Sequence, residues 1–222
     1  MPVRDYSAVT QDYLKVIWAA TEWDDNPITV KELAERMGVR PPTVSDAIRR
    51  LGQQGLVTHR PYGGIELTET GREGAVEMIR RHRLIETFLV EELGYGWDEV
   101  HDEAETLEHA VSADLIDRID RRLGFPTRDP HGDPIPTREG AERRPDATPL
   151  RGAPTGVLLR IARISDADSA VLRYLESRSL ALDTEATLVE YRGFAGDVSL
   201  LVNDETVVLG SAAAAAIWVA RA

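Results

Sequence analysis

The stretch TVKELAERMGVRPPTVSDAIRRLGQQGLVTHRPYGGIELT, residues 29–68, decides the fold. Thr29 and Glu32 have the spacing of a capping box, in which hydroxyl and carboxylate satisfy each other's free amides, so a short helix opens there. Gly38 stops it after Met37. Pro41 suits a first helical turn, because its missing N–H is one the helix leaves unpaired anyway. Val44, Ala47, Ile48 and Leu51 then recur at helical spacing over Thr43–Gln53, and Gly55 closes that helix. Leu56–Arg60 and Ile65–Thr68 read as two strands around Tyr62-Gly63-Gly64, a hairpin. Upstream, Val9 to Trp23 is a helix ended by Asp24-Asp25-Asn26-Pro27. Helix, short helix, four-residue turn, helix and hairpin is the order of a winged helix-turn-helix. A helical bundle with a stray hairpin is the plainer alternative.

Working outward, a long helix is expected from Thr70 to Leu93, a second from Asp98 to Val111, and a third capped by Ser112 and running to Leu123. Seven of the twelve prolines lie between Pro126 and Pro154, which reads as a linker. Beyond it, Ala186–Tyr191, Val198–Val202 and Thr206–Leu209 suggest strands, with one helix near Ala170–Arg178: a small barrel. The expected fold is mostly α with small β parts. Residues 1–73 form a DNA-binding winged helix, 74–140 a helical domain, 141–153 a linker and 154–222 the strand-rich domain.

Composition narrows the function. The 222 residues contain no cysteine, which excludes disulfides, thiolate catalysis and Cys-ligated metals. No apolar run approaches the length of a membrane span and no secretion signal is evident, so a cytoplasmic protein with no membrane partner is expected. The net charge is −12, against general adhesion to nucleic acid. Yet residues 27–63 reverse the sign, with six Lys/Arg against three Asp/Glu. In that basic island Arg40, Pro42, Thr43, Ser45 and Asp46 stand at the start of the second helix of the motif, where base edges are reached. Arg49, Arg50 and Arg60 are candidates for phosphate contact, although each alone reads equally as a solvated charge. Double-stranded DNA is the expected partner.

The middle third holds 16 acidic against 8 basic residues, and its acids are oddly placed. His82 and Glu86 interrupt the apolar stripe Ala75, Met78, Ile79, Ile85, Leu89 and Leu93. A buried carboxylate without a partner costs several kcal/mol or becomes neutral. A simple His–Glu pair would answer this, and so would a metal. Glu105, Glu108 and His109 converge on one helical face with His101 nearby, where a solvated acidic face is the bland reading. Asp12 shares a face of the first helix with Val9, Val16 and Ala19. Two mixed sets result: Asp12, Glu105, Glu108 and His109, and His82, Glu86 and His101. Oxygen and imidazole donors without thiolate suit Mn2+, while Fe2+, Co2+ and Zn2+ are also accommodated.

Asp12-Tyr13-Leu14, Arg40-Pro41-Pro42-Thr43-Val44-Ser45, Arg81-His82-Arg83-Leu84-x-Glu86, His101-Asp102-Glu103-Ala104-Glu105-x-x-Glu108-His109 and Pro130-x-Gly132-x-Pro134-Ile135-Pro136 occur in that order. Together they resemble the diphtheria-toxin-repressor family of metal-dependent repressors, and more closely its manganese-sensing branch. The resemblance implies a winged helix, a helical dimerisation domain and a C-terminal SH3-like β-barrel. It implies an activating site of Asp12, Glu105, Glu108 and His109. An ancillary site of His82, Glu86 and His101 would be completed by Asp166 or Asp168, with Asp166 favoured. Iron-sensing members carry Met in place of Asp12 and Cys in place of Glu105, so hard donors here point to Mn2+. Some manganese-sensing members have Glu in place of Lys15, and the family often has Gln in place of Asp46.

The implied function is a Mn2+-activated repressor that binds a palindromic operator as a homodimer and controls metal uptake genes. An iron-responsive repressor is the alternative within the family. A winged-helix regulator with a non-metal effector and a metallohydrolase are the rivals outside it. No Ser-His-Asp ordering, phosphate loop or HExxH supports an enzyme, and no organic substrate is expected. His59 and His131 fall outside the constellation.

Overall fold

The structure, a computed structural model, describes residues 3–23, 26–59, 63–141 and 144–222. By its contacts the chain divides into two compact units. The first comprises Met1–His82, Glu108–Val111 and Pro136–Ala141; the second comprises Arg83–Leu107, Ser112–Ile135 and Glu142–Ala222.

In the first unit, α1 (Ala8–Glu22) starts where the Ser7 hydroxyl accepts the Thr10 amide. Helix α2 (Val30–Arg36) has the capping box in full: Thr29 Oγ1 accepts from Glu32 N at 3.2 Å, and Glu32 Oε2 accepts from Thr29 N at 2.9 Å. Helix α3 (Pro41–Gln53) opens on its proline pair. Strands β1 (Val57–His59) and β2 (Ile65–Leu67) pair antiparallel, with Thr58 opposite Glu66. Together these make the winged helix read from residues 29–68. Leu14, Ile17 and Trp18 of α1 pack with Leu33, Val44, Ile48, Leu51 and Ile65 in one core. Helix α4 (Glu69–Leu93) begins against this core, and Gly71 lets it come close: a Cβ there would lie 1.9 Å from the Leu56 carbonyl oxygen.

The second unit holds the rest of α4, then α5 (Val100–Leu107) and α6 (Ala113–Arg122), the latter capped by Ser112. Helix α5 stops four residues short of the expected end at Val111. Glu108 and His109 therefore sit on the turn after it.

The C-terminal part is a six-stranded antiparallel sheet in the order β3-β8-β4-β5-β6-β7. Its strands are β3 (Thr148–Pro149), β4 (Leu158–Ile164), β5 (Glu185–Arg192), β6 (Asp197–Val202), β7 (Glu205–Leu209) and β8 (Ile217–Arg221). Helix α7 (Ser169–Ser177) and α8 (Ser211–Ala215) cover it, and Leu150, Ile161, Leu172, Leu175, Leu188 and Ile217 fill its core. The sheet is open, with β3 and β7 at its edges, where a closed barrel was expected. Edge strand β3 is two residues long and one of them, Pro149, has no N–H to extend the ladder.

The proline-rich stretch is another correction, because Asp129–Ile135 is not a loose linker. His131, Gly132, Asp133, Pro134 and Ile135 are buried. Asp129 Oδ1 accepts the amides of His131 and Asp133, each at 2.9 Å. Ile164 N donates to the His131 carbonyl at 2.8 Å, and Arg163 Nε donates to Asp133 at 2.6 Å. Gly132, at φ +90°, lies so close to β4 that a Cβ would meet the Ala162 oxygen at 2.2 Å. Proline lacks a donor, so a segment rich in it has fewer backbone groups to satisfy when buried. Residues 148–150, inside the expected 141–153 linker, likewise join the sheet and its core.

Candidate metal centre

The first cluster grows out of α1. Gln11, Asp12 and Lys15 project from neighbouring positions of its circumference, and the turn after α5 brings Glu108 and His109 to them. Asp12, Glu108 and His109 each offer one donor atom within 4.8 Å of the others. His109 Nε2 stands 3.0 Å from Asp12 Oδ1 and 3.7 Å from Glu108 Oε1. Donors bound to one ion at about 2.1 Å lie about 3.0–3.4 Å apart, so these separations fit a shared cation with little movement.

His109 is already in the tautomer a metal requires. Gln11 Nε2 donates to the carbonyls of Val3 at 2.9 Å and Tyr6 at 3.1 Å, which fixes which way the amide points. Its Oε1 then faces His109 Nδ1 at 2.7 Å and accepts that proton, leaving the lone pair of Nε2 toward the two carboxylates. Sequence reading passed over Gln11. Its one signal was an amide adjacent to Asp12, on a helix that also buries Lys15 and Glu22 among its apolar side chains.

Glu108 is fully buried and both its oxygens are held. Lys15 Nζ donates to Oε1 at 2.6 Å, and His82 Nδ1 donates to Oε2 at 2.6 Å. Burial alone would raise its pKa. The hydrogen bond and charge of His82, then those of Lys15, overcome that and hold the carboxyl below its ordinary value. His82, placed by sequence in the ancillary set, thus also bonds a residue of the activating set.

The second cluster lies in the second unit and joins Glu86 of α4, His101 of α5 and Asp166 of the loop after β4. His101 Nδ1 stands 3.3 Å from both Glu86 Oε1 and Asp166 Oδ2. Its hydrogen bond to Asp166, with that to Glu86, pushes His101 up to about 10 against the opposing effect of burial. Burial works to raise Asp166, but the His101 hydrogen bond brings it down to about 2. Asp168, the other candidate donor, is occupied otherwise: its Oδ1 caps α7 by accepting the Ala170 amide at 2.8 Å. Glu105, assigned by sequence to the activating set, has its Oε1 3.6 Å from His101 Nε2.

On the winged helix, Arg40, Pro42, Thr43, Ser45, Asp46, Arg49 and Arg50 are all exposed. Asp46 Oδ1 pairs with Arg49 Nη2 at 3.0 Å, and Ser45 Oγ donates to the Pro41 carbonyl. Arg60 lies outside the described residues. No described helix is long and apolar enough to cross a membrane.

Comparison with known proteins agrees with this architecture. Residues 5–65 match "Iron dependent repressor, N-terminal DNA binding domain", residues 68–137 its "metal binding and dimerisation domain", and residues 148–221 the FeoA domain. A solved manganese-dependent transcriptional repressor in complex with manganese is 53% identical with a TM-score of 0.92, covering 96% of this chain and 100% of that one. The manganese regulator SloR is 36% identical with a TM-score of 0.82, over 96% and 98% of the two chains. The iron-dependent repressor IdeR of Mycobacterium tuberculosis is 39% identical over 127 residues, 57% of this chain and 55% of its own length. The match thus spans about half of that relative. The diphtheria toxin repressor of Corynebacterium efficiens is 31% identical over 201 residues, 86% of this chain and 87% of its own. A chain with this winged helix, these two carboxylate–imidazole clusters and a relative matched over nearly its whole length belongs to the iron-dependent repressor family, that of the diphtheria toxin repressor.

Proposed function

We propose that the protein is a manganese-activated transcriptional repressor, binding a palindromic operator as a homodimer through the exposed start of α3 and controlling metal uptake genes. The observation that carries this reading is the convergence of Asp12, Glu108 and His109, because Asp12 belongs to the helix on which α3 packs. Asp12, Glu105, Glu108 and His109 would hold the activating ion, and His82, Glu86, His101 and Asp166 the ancillary one. When bound, the activating ion supplies two positive charges that neutralise clustered carboxylates and fix their spacing. The chain does the rest. Gln11 keeps the His109 lone pair aimed at the cluster, and Lys15 with His82 keeps Glu108 ionised. Leu14, Ile17 and Trp18 pass the position of α1 on to Val44, Ile48 and Leu51 of α3. To swing such an equilibrium from mostly inactive to mostly active, the metal must favour the active form by roughly 5 kcal/mol.

The donor sets contain no sulfur, which supports manganese over the iron response of IdeR-like relatives. Selection of DNA sites from a random duplex pool, with and without Mn2+, tests the reading. Affinity for the selected site is then titrated with Mn2+ and Fe2+. Palindrome binding that needs Mn2+ and disappears with Asp12→Ala or Glu105→Ala is the expected result. Equal binding with and without metal would send the search to another effector.

A further inference from the structure

Helix α3 begins in a way that leaves its backbone little to offer a duplex. A helix ordinarily starts with unpaired amides, and these take phosphate. Pro41 and Pro42 have no N–H. The amides of Thr43 and Val44 already donate to the Arg40 carbonyl, at 3.0 and 3.3 Å. Ser45 Oγ in turn gives its proton to the Pro41 carbonyl. Whatever this end of the helix reads, it reads with the side chains that remain.

At about 100° per residue, Pro42, Asp46, Arg49 and Gln53 fall on one ridge of α3. That ridge lies across the helix from its buried stripe, Val44, Ala47, Ile48 and Leu51. With the stripe held against the core, the ridge is the part that enters a groove deepest. Asp46 is the single carboxylate of α3, and it stands in the basic island of residues 27–63. Every phosphate of a duplex repels it, so it lowers affinity for DNA in general. Its Oδ1 meets Arg49 Nη2 at 3.0 Å, with the two side chains 62% and 68% exposed. A pair so exposed contributes little to stability, and stability therefore does not account for the charge. The pairing does hold the carboxylate in place and leaves Oδ2 to accept from another donor.

The base edges decide which donor. In the major groove cytosine presents its N4 amino group, while guanine presents N7 and O6 and thymine presents O4, all acceptors. Adenine has the N6 amino group beside the acceptor N7. A carboxylate only accepts. It bonds cytosine, is repelled by guanine and thymine, and meets adenine with one edge for it and one against. We propose that Asp46 is a specificity-determining residue, accepting from cytosine N4 at one position in each half of the operator. Arg49 positions the carboxylate and offsets its charge beside the phosphates. General affinity is thereby exchanged for discrimination at that base pair. The inference rests on the repressor reading above and deepens it by naming a base.

The test selects sites from a random duplex pool, with Mn2+ present, using the full-length wild type, Asp46→Asn and Asp46→Ala. Wild type should enrich cytosine at one symmetric pair of positions. Asp46→Asn keeps the shape but gains a donor that matches adenine N7, so it should enrich adenine there. Asp46→Ala should show no preference at that pair, and the remaining positions should be the same in all three. Replacing the cytosine by thymine should cost wild type about 5- to 150-fold in affinity and cost Asp46→Ala far less. Identical base preferences in wild type and Asp46→Ala, or an equal loss in both on that replacement, would overturn the assignment. A site bound equally with and without Mn2+ would defeat the metal-activated reading, while the exchange of cytosine for adenine would still decide the role of Asp46. No enriched site at all would overturn both.

Discussion

Gln11 bonds neither Asp12 nor Glu108, yet it sets the proton on His109 Nδ1. Gln11→Ala should weaken Mn2+ binding about 10–100-fold while leaving selectivity among metals intact, as titration calorimetry would show. A shift in selectivity would mean that the amide coordinates directly. Glu108 and Lys15 make a second prediction, for the metal-free protein. Glu108→Ala strands a buried ammonium, so urea unfolding in a chelator should show a loss of about 3–5 kcal/mol. The pair Lys15→Met with Glu108→Leu should recover most of it; if it does not, the ion pair is not the source of the loss. His101 supplies a third. Its pKa of about 10 lies above the ordinary 6.5, so its stabilisation is complete below about pH 6.5 and disappears as pH rises through about 10. A metal taking Nδ1 must displace that proton. Calorimetry near pH 8 in two buffers of different ionisation enthalpy should detect roughly one proton released at this site, and no release would count against His101 as a ligand.

Elements with a local chemical signature were legible from the sequence, and those defined by distant partners were not. The Thr29–Glu32 box, the Pro41 start of α3 and the Ser112 cap of α6 were each read from a few residues, and each stands where it was read. Strand β8 was missed, because Ile217–Arg221 follows an alanine run and is a strand only through β3 and β4 beside it. The same applies to Asp129–Ile135, whose prolines signal an irregular path but not whether that path is wet or buried. At the candidate site, helical spacing found the carboxylates and imidazoles. It could not tell that Glu108 and His109 lie past the end of α5, and it could not see Gln11. Gly71 offers a test of packing between elements. Gly71→Ala forces α4 off the Leu56 carbonyl and should cost about 1–3 kcal/mol, as overpacking does; thermal melting at the wild-type temperature would show the contact to be soft.

Across the whole molecule the charge is −12 with a basic island at residues 27–63, so binding to random duplex should be weak and to its own site strongly salt-dependent. Each of Arg49→Ala and Arg50→Ala should lower affinity across all sequences and flatten the logarithmic salt slope by about 1. Arg49 is also held by Asp46, so Asp46→Ala should free it and raise affinity for random duplex. Unchanged salt slopes would remove both arginines from the interface. Lys15 has a consequence at this scale too. A cation that is part of the chain cannot be diluted, chelated or outcompeted, so Glu108 never faces its acidic neighbours bare. The proposed site would then keep this pair whether or not an ion is bound. Under the proposed function, such a molecule would report a fall in metal as quickly as the ion departs, and it would serve through many cycles of scarcity and plenty.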